Sequence, residues 1–208
     1  MQDRLSRQDT GRASDIRFVG AVMGRYLLAS RRERADSVQV FACRLLSISP
    51  QTMVASAPVP GHPGEEISAS FEPFGRLRGK VERLIEGGFS VAIEARDEER
   101  ARLAKRIAWY KQKAVHSVVD KRVHKRVMPR DPRSQLVFAD GTVVECLIID
   151  MSLSGAAVSA DVQPEIGTPL ALGTVVCRVV RWLEVGFAVR FTAELEPQML
   201  EGRLHPAK

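Results

Sequence analysis

The 208-residue sequence predicts a mainly β fold: two small antiparallel β-barrels joined by an α-helix. Three observations lead there. Short runs rich in branched and aromatic residues, separated by glycine-containing turns, fill both halves of the chain, the pattern of small all-β domains. Between them stands one stretch without Gly or Pro, 97–116, made of good helix formers. The two halves also resemble each other in order and spacing, the signature of a repeated structural unit. The length suits one ordinary domain or two small ones, and 45% hydrophobic with 27% charged residues is an ordinary globular composition.

Residues 1–15 are polar and aperiodic and are expected to form a flexible tail. The first barrel is expected over 16–95. Within it, Val38–Ile48 has strand composition, Pro58–Gly64 is a Pro/Gly loop, and Gly79–Ile85 and Phe89–Ile93 flank Glu86-Gly87-Gly88, a hairpin signal. A connecting helix is expected over 96–118. Leu103, Ile107, Tyr110 and Ala114 share one helical face, and Asp97, Glu98 and Glu99 fall in the first turn, where they complement the helix dipole. The second barrel is expected over 119–208, with strands at 135–138, 142–150, 156–159, 169–172, 175–182 and 186–191, an Asp140-Gly141 hairpin turn, and a short helix within 194–204.

The repeat is read residue by residue. Cys43–Ser49 lies over Cys146–Ser152 at an offset of 103 residues, and Val81–Val91 resembles Val179–Val189. Chance similarity between strand-rich segments is the alternative. The copies differ at two positions of chemical weight: Ser47 stands against Asp150, and Thr52 against Gly155.

Charge is unevenly spread. Residues 95–130 carry 12 Lys/Arg against 4 Asp/Glu, while 131–208 carry 6 against 10. A concentrated basic segment attracts phosphates, nucleic acid or an acidic membrane face, or is simply a solvated helix face. Inside it lies Arg122-Val-His-Lys-Arg126, and beyond it Asp150-Met-Ser152-Leu-Ser-Gly155. A guanidinium pairs two-pronged with phosphate or with the O6/N7 edge of guanine. A carboxylate can accept the N1–H and N2–H₂ donors of guanine, a serine hydroxyl donates or accepts, and glycine lets backbone approach a ligand. Together these residues describe a site for a guanine nucleotide with accessible phosphates. Taken singly, RxxxR also reads as a solvated face and DxSxxG as a turn after a strand.

At these two motifs the sequence resembles the PilZ domain, a bacterial receptor for cyclic di-GMP, whose signatures RxxxR and [D/N]xSxxG are matched by Arg122/Arg126 and by Asp150/Ser152/Gly155. The resemblance covers roughly 120–192. It implies a six-stranded antiparallel barrel, cyclic di-GMP as ligand, and binding by Arg122, Arg126, Asp150, Ser152 and Gly155, with Lys121, His124 and Trp182 as further candidates. The first half resembles a degenerate PilZ domain, without an upstream RxxxR and with a broken second motif, and is not expected to bind nucleotide.

The function expected is therefore a non-enzymatic cyclic di-GMP receptor that changes its domain arrangement on binding and regulates motility, exopolysaccharide or biofilm output through a downstream protein partner. The alternatives are a nucleic-acid-binding protein using 95–130, and a phosphodiesterase. His62, His116, His124 and His205 lack metal-ligand spacing, so no metal or cofactor is expected. Cys43, Cys146 and Cys177 read as core residues of a reduced, cytoplasmic protein. The most apolar run, 16–29, is interrupted by Arg17 and Arg25 and is too short to span a membrane.

Overall fold

The computed structural model describes residues 16–32, 39–113 and 127–205. The expected tail 1–15 and the arginine motif at 122–126 lie outside them. The described chain forms two closed six-stranded antiparallel barrels. The first comprises β1 (Phe18–Leu28), β2 (Phe41–Ile48), β3 (Thr52–Ser56), β4 (Glu66–Phe71), β5 (Gly75–Ile85) and β6 (Gly88–Ile93). A four-residue helix, α1 (Ala29–Arg32), follows β1. The second comprises β7 (Arg133–Phe138), β8 (Val143–Ser152), β9 (Gly155–Ala160), β10 (Pro169–Leu172), β11 (Val175–Leu183) and β12 (Gly186–Phe191). Around the first ring the order is β1-β2-β3-β6-β5-β4, and around the second β7-β8-β9-β12-β11-β10. These are the same order, so the sequence repeat is a structural repeat. Closure leaves neither barrel an exposed sheet edge.

Alternation builds each core. Cys43, Leu45 and Ile48 on β2 point inward, as do Cys146, Ile148 and Met151 on β8. Phe89 and Phe187, at equivalent positions, are both fully buried. Exposing one would cost roughly 1.5–3 kcal/mol, and a one-residue slip would expose the whole inward set, which fixes register. Two β-bulges repeat as well, while a shift in β1–β2 between Val19 and Val22 is particular to the first barrel. The β2–β3 ladder shifts between Leu45 and Ser47, and the β8–β9 ladder between Ile148 and Asp150. Likewise β5–β6 shifts between Val81 and Arg83, and β11–β12 between Val179 and Arg181.

The expected connecting helix is α2 (Asp97–Lys113). Its buried face, Leu103 and Ile107, packs into the first core, and Tyr110 meets Phe18 and Phe74 edge-on at 5.2 Å each. It thus belongs to the first barrel rather than standing between the two. A shorter helix, α3 (Leu200–Leu204), seats Leu200 and Leu204 in the second core. Among the described residues no helix is long and apolar enough to cross a membrane.

The barrels meet through β2, which packs on β8 and β9. The Ala42 amide donates to the buried Ser159 hydroxyl at 3.0 Å. The contact is reciprocal. Glu184, in the β11–β12 turn, pairs with Arg25 on β1, and Glu86, at the equivalent β5–β6 turn, pairs with Arg133 on β7 at 2.6 Å. Arg31 pairs with Asp161 across the same junction.

Candidate functional site

The bulge in β8 makes the site. Ile148 and Met151 face the core, so the extra residue turns both Ile149 and Asp150 away from it, a re-aiming typical of β-bulges. Directly opposed residues in a sheet share a face. Asp150 is opposed by Ala157, Ala157 by Ala188, and Ala188 by Arg181. At about 4.8 Å between strands, this row runs roughly 14 Å across the outer wall. The next row is Ser152, Gly155, Arg190, Arg178. A carboxylate and a hydroxyl thus line one side and three guanidinium groups the other. Between them Ala157 and Ala188 offer only methyl groups, recessed to 4% and 8% exposure. A flat ligand can lie on such a floor with donors and acceptors at its ends.

Val127 is bridged to the second motif. Its amide donates to the Met151 carbonyl and the Met151 amide donates back to Val127, both at 2.9 Å. Val127 follows Arg126 in the chain, and Met151 stands between Asp150 and Ser152. The bridge therefore sets the residue after RxxxR against the middle of DxSxxG. Lys121, Arg122, His124 and Arg126 themselves lie outside the described residues.

Ser152 and Gly155 have structural work of their own. The Ser152 hydroxyl donates to the Gly155 carbonyl at 3.2 Å, closing the β8–β9 turn. Ser49 does the same to the Thr52 carbonyl at 3.3 Å in the first barrel, where the motif is broken. A Cβ on Gly155 would stand 2.3 Å from the Val189 carbonyl oxygen. The need for glycine here comes from close approach of β12, where the sequence suggested approach of a ligand. Trp182, half exposed, donates its indole N–H to the Pro164 carbonyl at 2.8 Å. It follows Arg181 on β11 and is opposed by the buried Phe187 on β12.

Sequence reading missed Arg181 and Arg190 as site residues. No motif marks them; only the strand register puts them in the rows of Asp150 and Ser152. It also missed Arg17. Phe18 opposes Ile48 as Val127 opposes Met151, so Arg17 is the counterpart of Arg126 and Ser47 that of Asp150. The Arg17 guanidinium donates to the Ser47 hydroxyl at 2.9 Å.

Among the described residues no group of three His, Cys, Asp or Glu is arranged to hold a metal. The three cysteines are buried, and burial pushes the Cys146 and Cys177 thiols up to about 12 and Cys43 higher still. All three are therefore protonated core residues.

Comparison with known proteins gives a family for this half of the chain. Residues 120–204 match the model of the PilZ domain. The match spans the second barrel and both signature motifs. No curated protein matches the chain. Among solved structures, the chain is similar to the PlzA protein of Borreliella burgdorferi in complex with c-di-GMP, at 14% identity over 95% of this chain and 91% of that one, TM-score 0.31. It is similar to the Bacillus subtilis inhibitor of motility, at 12% identity over 90% and 94%, TM-score 0.28. It is also similar to YcgR of Escherichia coli in complex with c-di-GMP, at 13% identity over 88% and 80%, TM-score 0.26.

Proposed function

We propose that the protein is a receptor for cyclic di-GMP, bound on the outer wall of the PilZ barrel, and that it acts without catalysing a reaction. The observation that supports this reading is the Val127–Met151 bridge, which sets the residue after RxxxR against the residue between Asp150 and Ser152. Arg122 and Arg126 supply guanidinium forks for phosphate and guanine edges. Asp150 accepts guanine donors, and Ser152 and Gly155 hold the turn that presents it. Arg181 and Arg190 close the far side of the same face. Lys121 and His124 adjoin the arginines, and Trp182 borders the wall.

Binding alters how the two barrels sit, and a downstream protein partner, engaged through the first barrel, reads that change in control of motility, exopolysaccharide or biofilm. The competing reading, a nucleic-acid binder along 95–130, gains nothing from a carboxylate set opposite three guanidinium groups, since phosphates repel it. Calorimetric titration of the full chain tests the proposal. Cyclic di-GMP should bind with micromolar or better affinity, and linear GMP at least about a hundredfold more weakly, because it offers half the contacts. Equal affinity for the two, or no heat with cyclic di-GMP, would end it.

A further inference from the structure

We propose that Arg44, on the first barrel, is a positioning residue of the ligand site on the second. Its guanidinium grips the backbone that leads from the site into β7, so the first barrel sets the affinity of a site it does not contain. The inference rests on the cyclic di-GMP reading above.

The segment from Val127 to Arg133 is a strap between the site and its barrel. Its first residue is bonded to Met151 within the site. Near its end the Pro132 carbonyl accepts the Ile148 amide at 2.6 Å. Both ends are therefore fixed by the second barrel. Its middle is not. Pro129 has no N–H to donate, and the Arg130 amide donates to Glu201 at the C-terminal helix. The Pro129 and Arg130 carbonyls are held by one group from outside, Nη1 of Arg44, which donates to both, the second at 3.0 Å. Arg44 sits on β2 between inward Cys43 and Leu45, so alternation aims it at the neighbouring barrel.

The cost of this arrangement argues for its purpose. The Arg44 Nε is buried with no hydrogen-bond partner among the described residues. Desolvation draws its pKa down, opposed by the nearby Asp131 and Glu201 carboxylates. A barrel junction alone does not need a half-buried guanidinium spent on two carbonyls of a strap. The junction already has Arg25–Glu184, Arg31–Asp161 and Arg133–Glu86. Only Arg133–Glu86 among these touches the strap, and it does so at the far end. Arg44 is the group of the first barrel that holds the middle, at the Pro129 and Arg130 carbonyls, two residues from the Val127–Met151 bridge.

Coupling of this kind is reciprocal, and coupling between sites commonly amounts to about 5- to 150-fold in affinity. The test compares Arg44→Met with Arg31→Gln in the full chain. Each removes one inter-barrel contact, but only the first frees the strap. Arg44→Met should weaken cyclic di-GMP binding about tenfold, and Arg31→Gln should leave it within twofold. Arg44→Lys, which keeps the charge but loses the planar fork, should fall between wild type and Arg44→Met and guards against misfolding of the methionine variant. Equal losses in Arg44→Met and Arg31→Gln would reduce Arg44 to a docking contact and overturn the proposal, as would an unchanged affinity in Arg44→Met. A ligand-free readout separates this failure from failure of the receptor reading. Hydrogen exchange at the Val127 and Met151 amides should accelerate at least about fivefold in Arg44→Met and not in Arg31→Gln, whether or not the wild type binds cyclic di-GMP. Unaltered exchange there overturns the positioning role.

Discussion

The two barrels are one fold with two outer walls. Strand order, two bulge positions and the buried phenylalanines Phe89 and Phe187 coincide. The rows proposed as the ligand face do not. Where the second barrel has Asp150, Ala157, Ala188 and Arg181, the first has Ser47, Val54, Ser90 and Arg83. The carboxylate is gone, and a valine rises where the floor was a methyl. The Ser90 hydroxyl is turned to Glu82 at 3.3 Å. In the next row Ala92 replaces Arg190. The first barrel keeps Arg17, but four residues before it stands Ala13 rather than a second arginine. Inward residues fix the barrel, outward residues set the chemistry of its wall, and alternation lets one set change without the other.

The largest difference expected between the barrels is in binding. Arg126→Ala and Arg17→Ala remove counterpart arginines. Losing one hydrogen bond to a charged group costs roughly 1.5–3 kcal/mol, so Arg126→Ala should weaken cyclic di-GMP binding about 10- to 150-fold. Asp150→Ser, which imports the first barrel's residue, should cost about tenfold. Arg17→Ala should leave affinity within twofold. Calorimetry on the three variants decides: a loss at Arg17 as large as that at Arg126 would make the first barrel a ligand site after all.

A second experiment probes what the barrels share. Gly88 and Gly186 are counterparts, and each lies against a neighbouring carbonyl. A Cβ on Gly88 would stand 2.0 Å from the Ala55 oxygen, and on Gly186 2.0 Å from the Val158 oxygen. Gly186 also has φ +149°, where an L side chain is strained. Overpacking of this kind typically costs about 1–3 kcal/mol. Gly88→Ala and Gly186→Ala should each lower the urea midpoint by that measure, Gly186→Ala the more. Indifference at either position would show that the shared backbone path is less constrained than its repetition implies.

Most of the second barrel was legible in the sequence. Its six strand runs lie within about two residues of β7–β12, because Asp140-Gly141 and Gly186 punctuate strands of strong β-propensity. The first barrel was read less fully. β3 and β4, TMVAS and EISASF, are rich in Ala and Ser, and tertiary pairing rather than propensity makes them strands. The motif residues Asp150, Ser152 and Gly155 were visible through spacing. Arg181, Arg190 and Arg17 were not, because what joins them to the site is register across strands, which no linear spacing encodes. The division of labour within the motif was hidden as well: Ser152 closes a turn that Ser49 also closes in the first barrel, so the copies differ at Asp150 and Gly155 and not at the serine.

The smallest expected difference concerns the cores at alkaline pH. Cys43 and Cys146 are counterparts, and Cys177 is an additional thiol of the second core, facing Gly79 in the repeat. Burial raises all three thiols above the roughly 8.5 of an unfolded chain. The folded state therefore keeps protons that the unfolded state gives up. Stability is whole below the unfolded value and declines as pH rises toward the folded values. From pH 8 to 9 this amounts to roughly 0.5–1 kcal/mol per thiol. The second barrel has two such thiols and the first has one, so the second should lose about twice as much over that step. Tyr26, also raised by burial in the first core, has an ordinary value of 10.0 and evens the balance only at higher pH. Trp109 lies on the helix of the first barrel and Trp182 on the second. Urea unfolding followed in Trp182→Phe and Trp109→Phe variants reports each barrel separately. The midpoint seen by Trp182 should fall further between pH 8 and 9 than that seen by Trp109, and Cys177→Ala should make the two falls equal. Equal falls in the presence of Cys177 would mean that the barrels unfold as one cooperative unit, joined through Ser159 and Arg44, rather than as two.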